Sequence, residues 1–88
     1  MDVEFAADAL AVEEQFYAAS GPEYERLWEV LDRILEDADE AKHANWSNFV
    51  SSLDLWGSKV PGTQYMVFWR TSPGPVLYVA VIALDQGI

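Results

Sequence analysis

The run Val76–Leu84, VLYVAVIAL, restricts the fold more than any other part of the sequence, because every residue in it is aliphatic or aromatic. A second run of β-forming residues, 65–69, precedes it, and the segment SPGP at 72–75 separates the two. Such a pair of runs around a Pro/Gly cluster predicts a β-hairpin. The run 76–84 is expected to be a central strand, because a half-wet edge strand would alternate with polar residues. A lone hairpin is marginal in water, so the rest of the chain must cover one of its faces.

The first half of the chain is expected to supply that cover as two amphipathic helices. Residues 1–5 alternate as in a short strand, and apolar residues then recur at helical spacing over 6–19 and over 22–40. The segment SGPE at 20–23 predicts the break between the helices. Gly21 suits a helix end, Pro22 suits a first helical turn, and Ser20 with Glu23 has the spacing of a capping box.

The second half predicts a third strand before the hairpin. Residues 43–48 are mostly polar and are expected to form a loop, 49–56 contain enough β-forming residues for a strand, and 57–62 contain the Gly and Pro of a turn. The predicted class is therefore α+β with the order β-α-α-β-β-β. A two-helix hairpin packs on a small, mainly antiparallel four-stranded sheet, and residues 1–88 form one domain.

Charge and composition exclude several classes of protein. Fifteen Asp/Glu against five Lys/Arg give a net charge of -10, and residues 1–42 alone hold thirteen of the acids and three of the cations. So few cations disfavour direct binding to nucleic acid. The absence of cysteine excludes disulfides and thiolate metal sites. No apolar run is long enough for a membrane span, and the N-terminus lacks a basic signal-peptide start, so a cytoplasmic protein without membrane contact is expected.

A row of carboxylates on the second predicted helix is a candidate binding surface. The row consists of Glu25, Glu29, Asp32, Glu36 and Asp39, with Glu40 beside it. Spaced along one helical face, these groups could imitate a row of phosphates and bind a basic protein. The alternative is a solubilising face without a partner.

Three further side chains are candidates for contact with a partner. Arg70 ends the strand before the predicted turn, where its guanidinium could bind a phosphate or a carboxylate; alternatively it pairs with Asp85 or with a helix carboxylate. Trp46 and Trp56 are expected to be partly exposed. Exposed aromatic residues are favoured anchors of interfaces, although in a small domain they can equally cover the edge of the core.

Metal and hydrolytic sites are not expected. Glu40 and His43 have i, i+3 spacing, but no second such pair accompanies them, and a His at a helix C-terminus is favoured by the helix dipole in any case. A single His without cysteine gives no basis for a Ser-His-Asp or Cys-His group. The sequence therefore predicts no cofactor and no metal.

Two segments resemble the RelE/ParE superfamily of toxins from toxin-antitoxin modules. Residues 5–39 are similar to the helical hairpin of that family, and YMVFWRTSPGPVLYVAVIALDQ at 65–86 is similar to its last hairpin, in which an aromatic residue and an Arg precede an apolar strand. The resemblance implies a protein that binds an antitoxin, which adds a helix or a strand to its surface, and that inhibits a cellular target.

The resemblance also indicates how such a protein would act. RNA-cleaving members carry a cluster of Lys, Arg, His or Tyr on the sheet, whereas this chain has Lys59, Arg70, Tyr65 and Tyr78 there. The last strand ends in Ala and Leu, where many members have His or Arg. The expectation is therefore action by protein binding and not as a ribonuclease; an enzymatic activity would be ribosome-dependent cleavage of mRNA.

A different class of protein is the alternative. The same small fold could be an acidic inhibitor or nucleic-acid mimic, of the kind that phages encode, which blocks a basic nucleic-acid-binding protein through the carboxylate row. In either case the expected partner is a protein, an antitoxin or a basic target, and the sequence does not specify the oligomeric state.

Overall fold

The structure is a computed structural model that describes residues 2–72 and 76–85. It is α+β, as predicted, with three helices and one five-stranded sheet among the described residues. In chain order the elements are β1 (Asp2–Phe5), α1 (Ala7–Ala19), α2 (Pro22–Glu36), α3 (Ala38–His43), β2 (Ser47–Val50), β3 (Leu55–Lys59), β4 (Tyr65–Ser72) and β5 (Val76–Leu84). Residues 73–75 of the predicted SPGP turn lie outside the described residues.

The sheet has the strand order β1-β5-β4-β3-β2. Three of its pairings are antiparallel, and β1 pairs with β5 in parallel. Strand β5 thus has a neighbour on each edge, which agrees with its apolar sequence. The prediction of a hairpin between β4 and β5 is confirmed, although β4 and not β5 holds the middle position.

The prediction of four strands is wrong, because residues 49–56 do not form one strand. They contain the turn of a β-hairpin, with β2 before it and β3 after it, and residues 51–54 form the connection. Asp54 adopts a left-handed conformation with φ of 55°, which Asp tolerates better than most residues. Residues 47 and 48, predicted as loop, begin β2, and residues 57–59, predicted as turn, belong to β3.

The second predicted helix is also divided. Helix α2 ends at Glu36, Asp37 is extended, and α3 begins at Ala38. The carboxylate of Asp37 accepts a hydrogen bond of 3.0 Å from the backbone N–H of Glu40, which satisfies one of the free donors at the start of α3. The cap therefore stabilises the start of a new helix at Ala38.

The break between α1 and α2 lies where it was predicted but is built differently. Ser20, and not Gly21, takes the left-handed conformation at the end of α1, with φ of 55°. Gly21 is the residue before α2, no side chain caps that helix, and Pro22 is its first residue. The predicted capping box is therefore not formed.

The core lies between the helices and one face of the sheet. Helix α2 contributes an apolar face whose members are fully or almost fully buried, and the sheet contributes alternate residues of β4 and β5. The principal residues of this core are Leu27, Val30, Leu31, Ile34, Val67, Trp69, Leu77, Val79 and Ile82. Burial of this kind is the main source of stability in a small domain.

A β-bulge explains how β5 can be apolar along its whole length. Trp69 pairs with Val79 and Phe68 pairs with Val81. Ala80 of β5 therefore has no partner on β4 and is the extra residue of the bulge. The alternation of faces shifts there, and both Val79 and Ile82 are buried in the core with the helices. Val81 is exposed and lies on the other face of the sheet.

The cap of α3 gives a first testable prediction. Replacement of Asp37 by Ala removes the only side-chain cap recorded for the three described helices and is expected to lower the free energy of unfolding by about 0.5–2 kcal/mol. Urea denaturation would measure the change. The matched control is Asp32→Ala on the exposed side of α2, which should not destabilise because Ala is the better helix former; equal losses in both variants would contradict the assigned cap.

Candidate functional site

The helices cover one face of the sheet, and no described element covers the other, which we call the open face. Side chains that alternate with the core residues of β3, β4 and β5 point to it. Its central members are Leu55, Gly57, Lys59, Met66, Phe68, Arg70, Tyr78 and Val81. Most of these residues are apolar, which is unusual for a sheet face that contacts no other layer.

An apolar groove of about 590 Å³ occupies the part of the open face nearest the β2–β3 hairpin. The β2–β3 hairpin forms one wall and β4 forms the other, and the lining residues are Asn48, Phe49, Val50, Ser51, Ser52, Leu53, Met66 and Phe68. Leu53 is 53% exposed, so the groove has apolar surface in contact with solvent. A concave apolar surface of this size fits a few side chains of a partner.

Gly57 shapes the floor of this groove. A Cβ atom at this position would lie 3.0 Å from Cε1 of Phe68 and 3.1 Å from Cε of Met66, both of which are side-chain atoms of β4. The missing side chain lets Met66 and Phe68 pack down onto β3, and Met66 is buried as a result. The groove is therefore a product of local packing and not a gap in the core.

Arg70 lies on the open face with its guanidinium carbon 5.0 Å from the ring centroid of Tyr78. Neither of the ion pairs considered for it is formed. The strand register places Arg70 opposite Tyr78, whereas Asp85 follows the pair of Tyr65 and Leu84 at the other end of the hairpin. The helix carboxylates lie beyond the sheet, and no carboxylate among the described residues is within 4.0 Å of Arg70.

The carboxylate row is exposed but is not continuous along one helix. Glu25, Glu29, Asp32 and Glu36 belong to α2, whereas Asp39 lies beyond the break, on α3. Two members of the row form exposed ion pairs within their helix, Glu29 with Arg26 at 3.3 Å and Asp39 with Lys42 at 3.9 Å. Exposed pairs of this kind contribute little to stability.

Trp46 and Trp56 are both half-buried and pack against the core. The guanidinium carbon of Arg33 lies 5.9 Å from the ring centroid of Trp46, in a second, polar groove of about 510 Å³ beside α3. Trp56 packs between the rings of Phe49 and Trp69, with the ammonium group of Lys42 5.9 Å from its own ring centroid. Neither Trp lines the apolar groove.

A cluster of metal ligands and a membrane-spanning helix are both absent from the part of the chain that the structure describes. It contains no group of three or more His, Cys, Asp or Glu placed to hold a metal ion together. His43 is exposed at the end of α3. None of the described helices is both long and apolar enough to cross a lipid bilayer.

The groove residues were missed at the level of sequence. Phe49, Leu53, Met66 and Phe68 look like ordinary strand residues as long as 49–56 is taken as one strand. The signal that could have found them is the polar stretch Ser51-Ser52 followed by Asp54, which favours a turn. A hairpin with its turn at residues 51–54 places Leu53 in that turn, where an exposed apolar residue indicates contact with a partner.

Comparisons with protein-family models, with curated proteins and with solved structures give no significant match to this chain.

Proposed function

We propose that this protein is a RelE/ParE-like component of a toxin-antitoxin module that acts by binding proteins, an antitoxin and a cellular target, in the cytoplasm. The observation that carries the proposal is the apolar groove on the open face. A solvent-exposed apolar surface on a chain with net charge -10 is costly unless a partner covers it. Covering by a helix or a strand of a second protein is an ordinary mode of peptide recognition.

The order of elements supports the toxin-module part of the proposal. One strand leads into a helical hairpin, and antiparallel strands follow, the last two forming the hairpin that contains Arg70. These are the features on which the resemblance to the family depends. The added strand and the short third helix arise within residues 37–59, most of which lie between the two segments that resemble the family.

The positions of the polar side chains favour binding over RNA cleavage. Tyr65 packs against Phe16, with ring centroids 4.9 Å apart, and therefore lies on the helix side of the sheet. Of the four candidate groups, Lys59, Arg70 and Tyr78 remain on the open face, and of these Arg70 and Tyr78 contact each other. General acid-base chemistry requires groups that converge on one reacting atom, which this arrangement does not provide.

The carboxylate row favours a second candidate function, an acidic inhibitor of a basic nucleic-acid-binding protein. Its members are exposed on the helix layer, on the far side of the sheet from the groove. The two candidates therefore use opposite faces of the molecule and can be separated by variants of each face.

The test is controlled expression in cells, alone and with the neighbouring gene, while growth is followed. The proposal predicts growth arrest that the neighbour relieves, and loss of that relief when Leu53 in the groove is replaced by Ser. Charge removal in the row, by Glu29→Gln with Asp32→Gln, should have no effect. Absence of arrest, together with salt-sensitive capture of a basic protein that the row variant abolishes, would favour the inhibitor and reject the toxin module.

A further inference from the structure

We propose that the apolar groove binds a peptide segment whose apolar side chains are flanked by carboxylates. This inference rests on the proposed function and specifies the chemistry of the partner at the same site. It follows from the positions of the cations, which differ sharply between the two faces of the molecule.

Three of the five cations contact other side chains of the helix layer or of the adjacent polar groove. Arg26 and Lys42 each form an ion pair with a carboxylate of their own helix, at 3.3 and 3.9 Å. Arg33 lies over the ring of Trp46 and borders the polar groove, which also contains carboxylates. The remaining two, Lys59 and Arg70, have no carboxylate within 4.0 Å among the described residues, although the chain holds fifteen Asp/Glu.

Both of these cations lie on the open face and flank Met66 and Phe68, the two residues of β4 that line the groove. Neither cation lines the groove itself, and the guanidinium of Arg70 lies over Tyr78 of β5. Lys59 is paired in register with Met66, and Arg70 follows Phe68 by two residues on the same face of β4. With a rise of about 3.3 Å per residue, the positions of Met66 and Arg70 are roughly 13 Å apart along β4. A bound segment could therefore bury apolar side chains against Met66 and Phe68 and present a carboxylate to each cation.

The acidic charge of the chain opposes this binding only weakly. The carboxylate row lies across the helix layer, and even the shortest dimension of the molecule, 22 Å, is more than twice the screening length of about 8 Å at physiological ionic strength. Four acids lie nearer. Asp2 and Glu4 belong to β1, which β5 separates from β4, and Asp54 is in the turn at the groove wall. Asp85 follows β5, and its backbone N–H donates a hydrogen bond to the carbonyl of Gln64.

A second copy of this chain fits the groove less well than an acidic segment. Face-to-face pairing would bring the unpaired cations of both copies into one apolar interface, and like charges placed together there are costly. Dimerisation through this face is therefore an outcome against the proposal.

The experiment selects binders for the purified protein from a displayed library of random dodecapeptides. The expected result is enrichment of sequences in which Phe, Leu, Ile or Trp adjoin Asp or Glu. In titrations of an enriched peptide by fluorescence anisotropy, Lys59→Gln and Arg70→Gln should each weaken binding about two- to fivefold. Arg26→Gln is the matched control and should leave the affinity unchanged.

The apolar part of the groove has its own matched pair of variants. Leu53→Ser should weaken binding about tenfold, whereas Leu10→Ser, which changes an exposed leucine of α1, should not alter it. Because both leucines are exposed, neither change is expected to unfold the protein. Circular dichroism of each variant would confirm this before the titrations.

Three results would overturn the inference: enrichment of basic peptides or of none, affinities that do not respond to the two Gln variants, or a concentration-dependent dimer in sedimentation that Leu53→Ser abolishes. The growth assay separates this failure from failure of the proposed function. Arrest relieved by the neighbour, but unaffected by Lys59→Gln and Arg70→Gln, would leave the toxin module standing and reject the acidic segment. Selective acidic binders without arrest would reject the module alone.

Discussion

Replacement of Trp69 by Ala is expected to remove about 3–5 kcal/mol from the free energy of unfolding. Trp69 is completely buried in the middle strand, where it packs against the core and stacks on Trp56. A domain of 88 residues is expected to have about 4–13 kcal/mol of stability in total. The substitution should therefore leave the chain partly unfolded at 37 °C, and urea denaturation followed by circular dichroism would measure the loss.

The control for Trp69 is Trp46→Ala, which removes a side chain of the same size. Trp46 is half-buried and lies at the edge of the core, so its loss creates less cavity and should cost clearly less. If the two variants were equally stable, the burial assigned to Trp69 would be wrong.

Replacement of Ser58 by Ala is expected to cost about 1–3 kcal/mol, although it removes a single oxygen atom. The indole N–H of Trp69 donates a hydrogen bond of 2.8 Å to Oγ of Ser58, and Oγ of Ser47 lies 2.7 Å from the same atom. All three groups are buried. In the variant the indole N–H and the hydroxyl of Ser47 lose their partner and have no water to replace it.

A double-mutant cycle isolates this bond. Ser58→Ala combined with Trp69→Phe should destabilise by about 1 kcal/mol less than the sum of the single variants, because the second change removes the unsatisfied donor. Ser52→Ala, in the exposed β2–β3 turn, is the control and should stay within about 0.5 kcal/mol of the parent protein. Strict additivity in the cycle would exclude the buried bond.

The helical half was predictable mainly because the apolar residues of α2 are strongly periodic. The spacing over 22–40 identified that helix, and Pro22 marked its start correctly. Helix α1 lies within 6–19 as predicted, but it is not the amphipathic helix that was expected, since only Ala9 and Phe16 of it are buried. The break at Asp37 was hidden because Leu35 and Ala38 continue the apolar spacing on both sides of it. The signal that could have revealed it is Asp37 followed three residues later by Glu40, which is the spacing of an N-cap and its partner.

The strand half was harder because β-forming residues do not show where one strand ends and the next begins. Phe49, Leu55 and Trp56 predict strand equally well, so the turn between them was absorbed into one segment. The bulge at Ala80 was invisible for a related reason. Where every residue of a strand is apolar, a shift in the alternation leaves no trace in the sequence.

The candidate site was predictable only in part. Arg70 and the carboxylate row were identified as surface groups, and the structure exposes both. The groove depends on the β2–β3 hairpin and on packing over Gly57, neither of which a linear pattern specifies. The partition of charge between the faces likewise required the register that places Lys59 and Arg70 on the same side.

The parallel pairing of β1 with β5 has a consequence for how the protein is made. Strand β1 is synthesised before its partner β5, and the whole helical layer and three strands lie between them in the chain. At synthesis rates of about 5–20 residues per second, β1 and the apolar side of the helices wait for β5 on the order of seconds. During that interval the nascent chain exposes surface that the finished sheet will cover, and a chaperone or an early-binding partner would find it accessible.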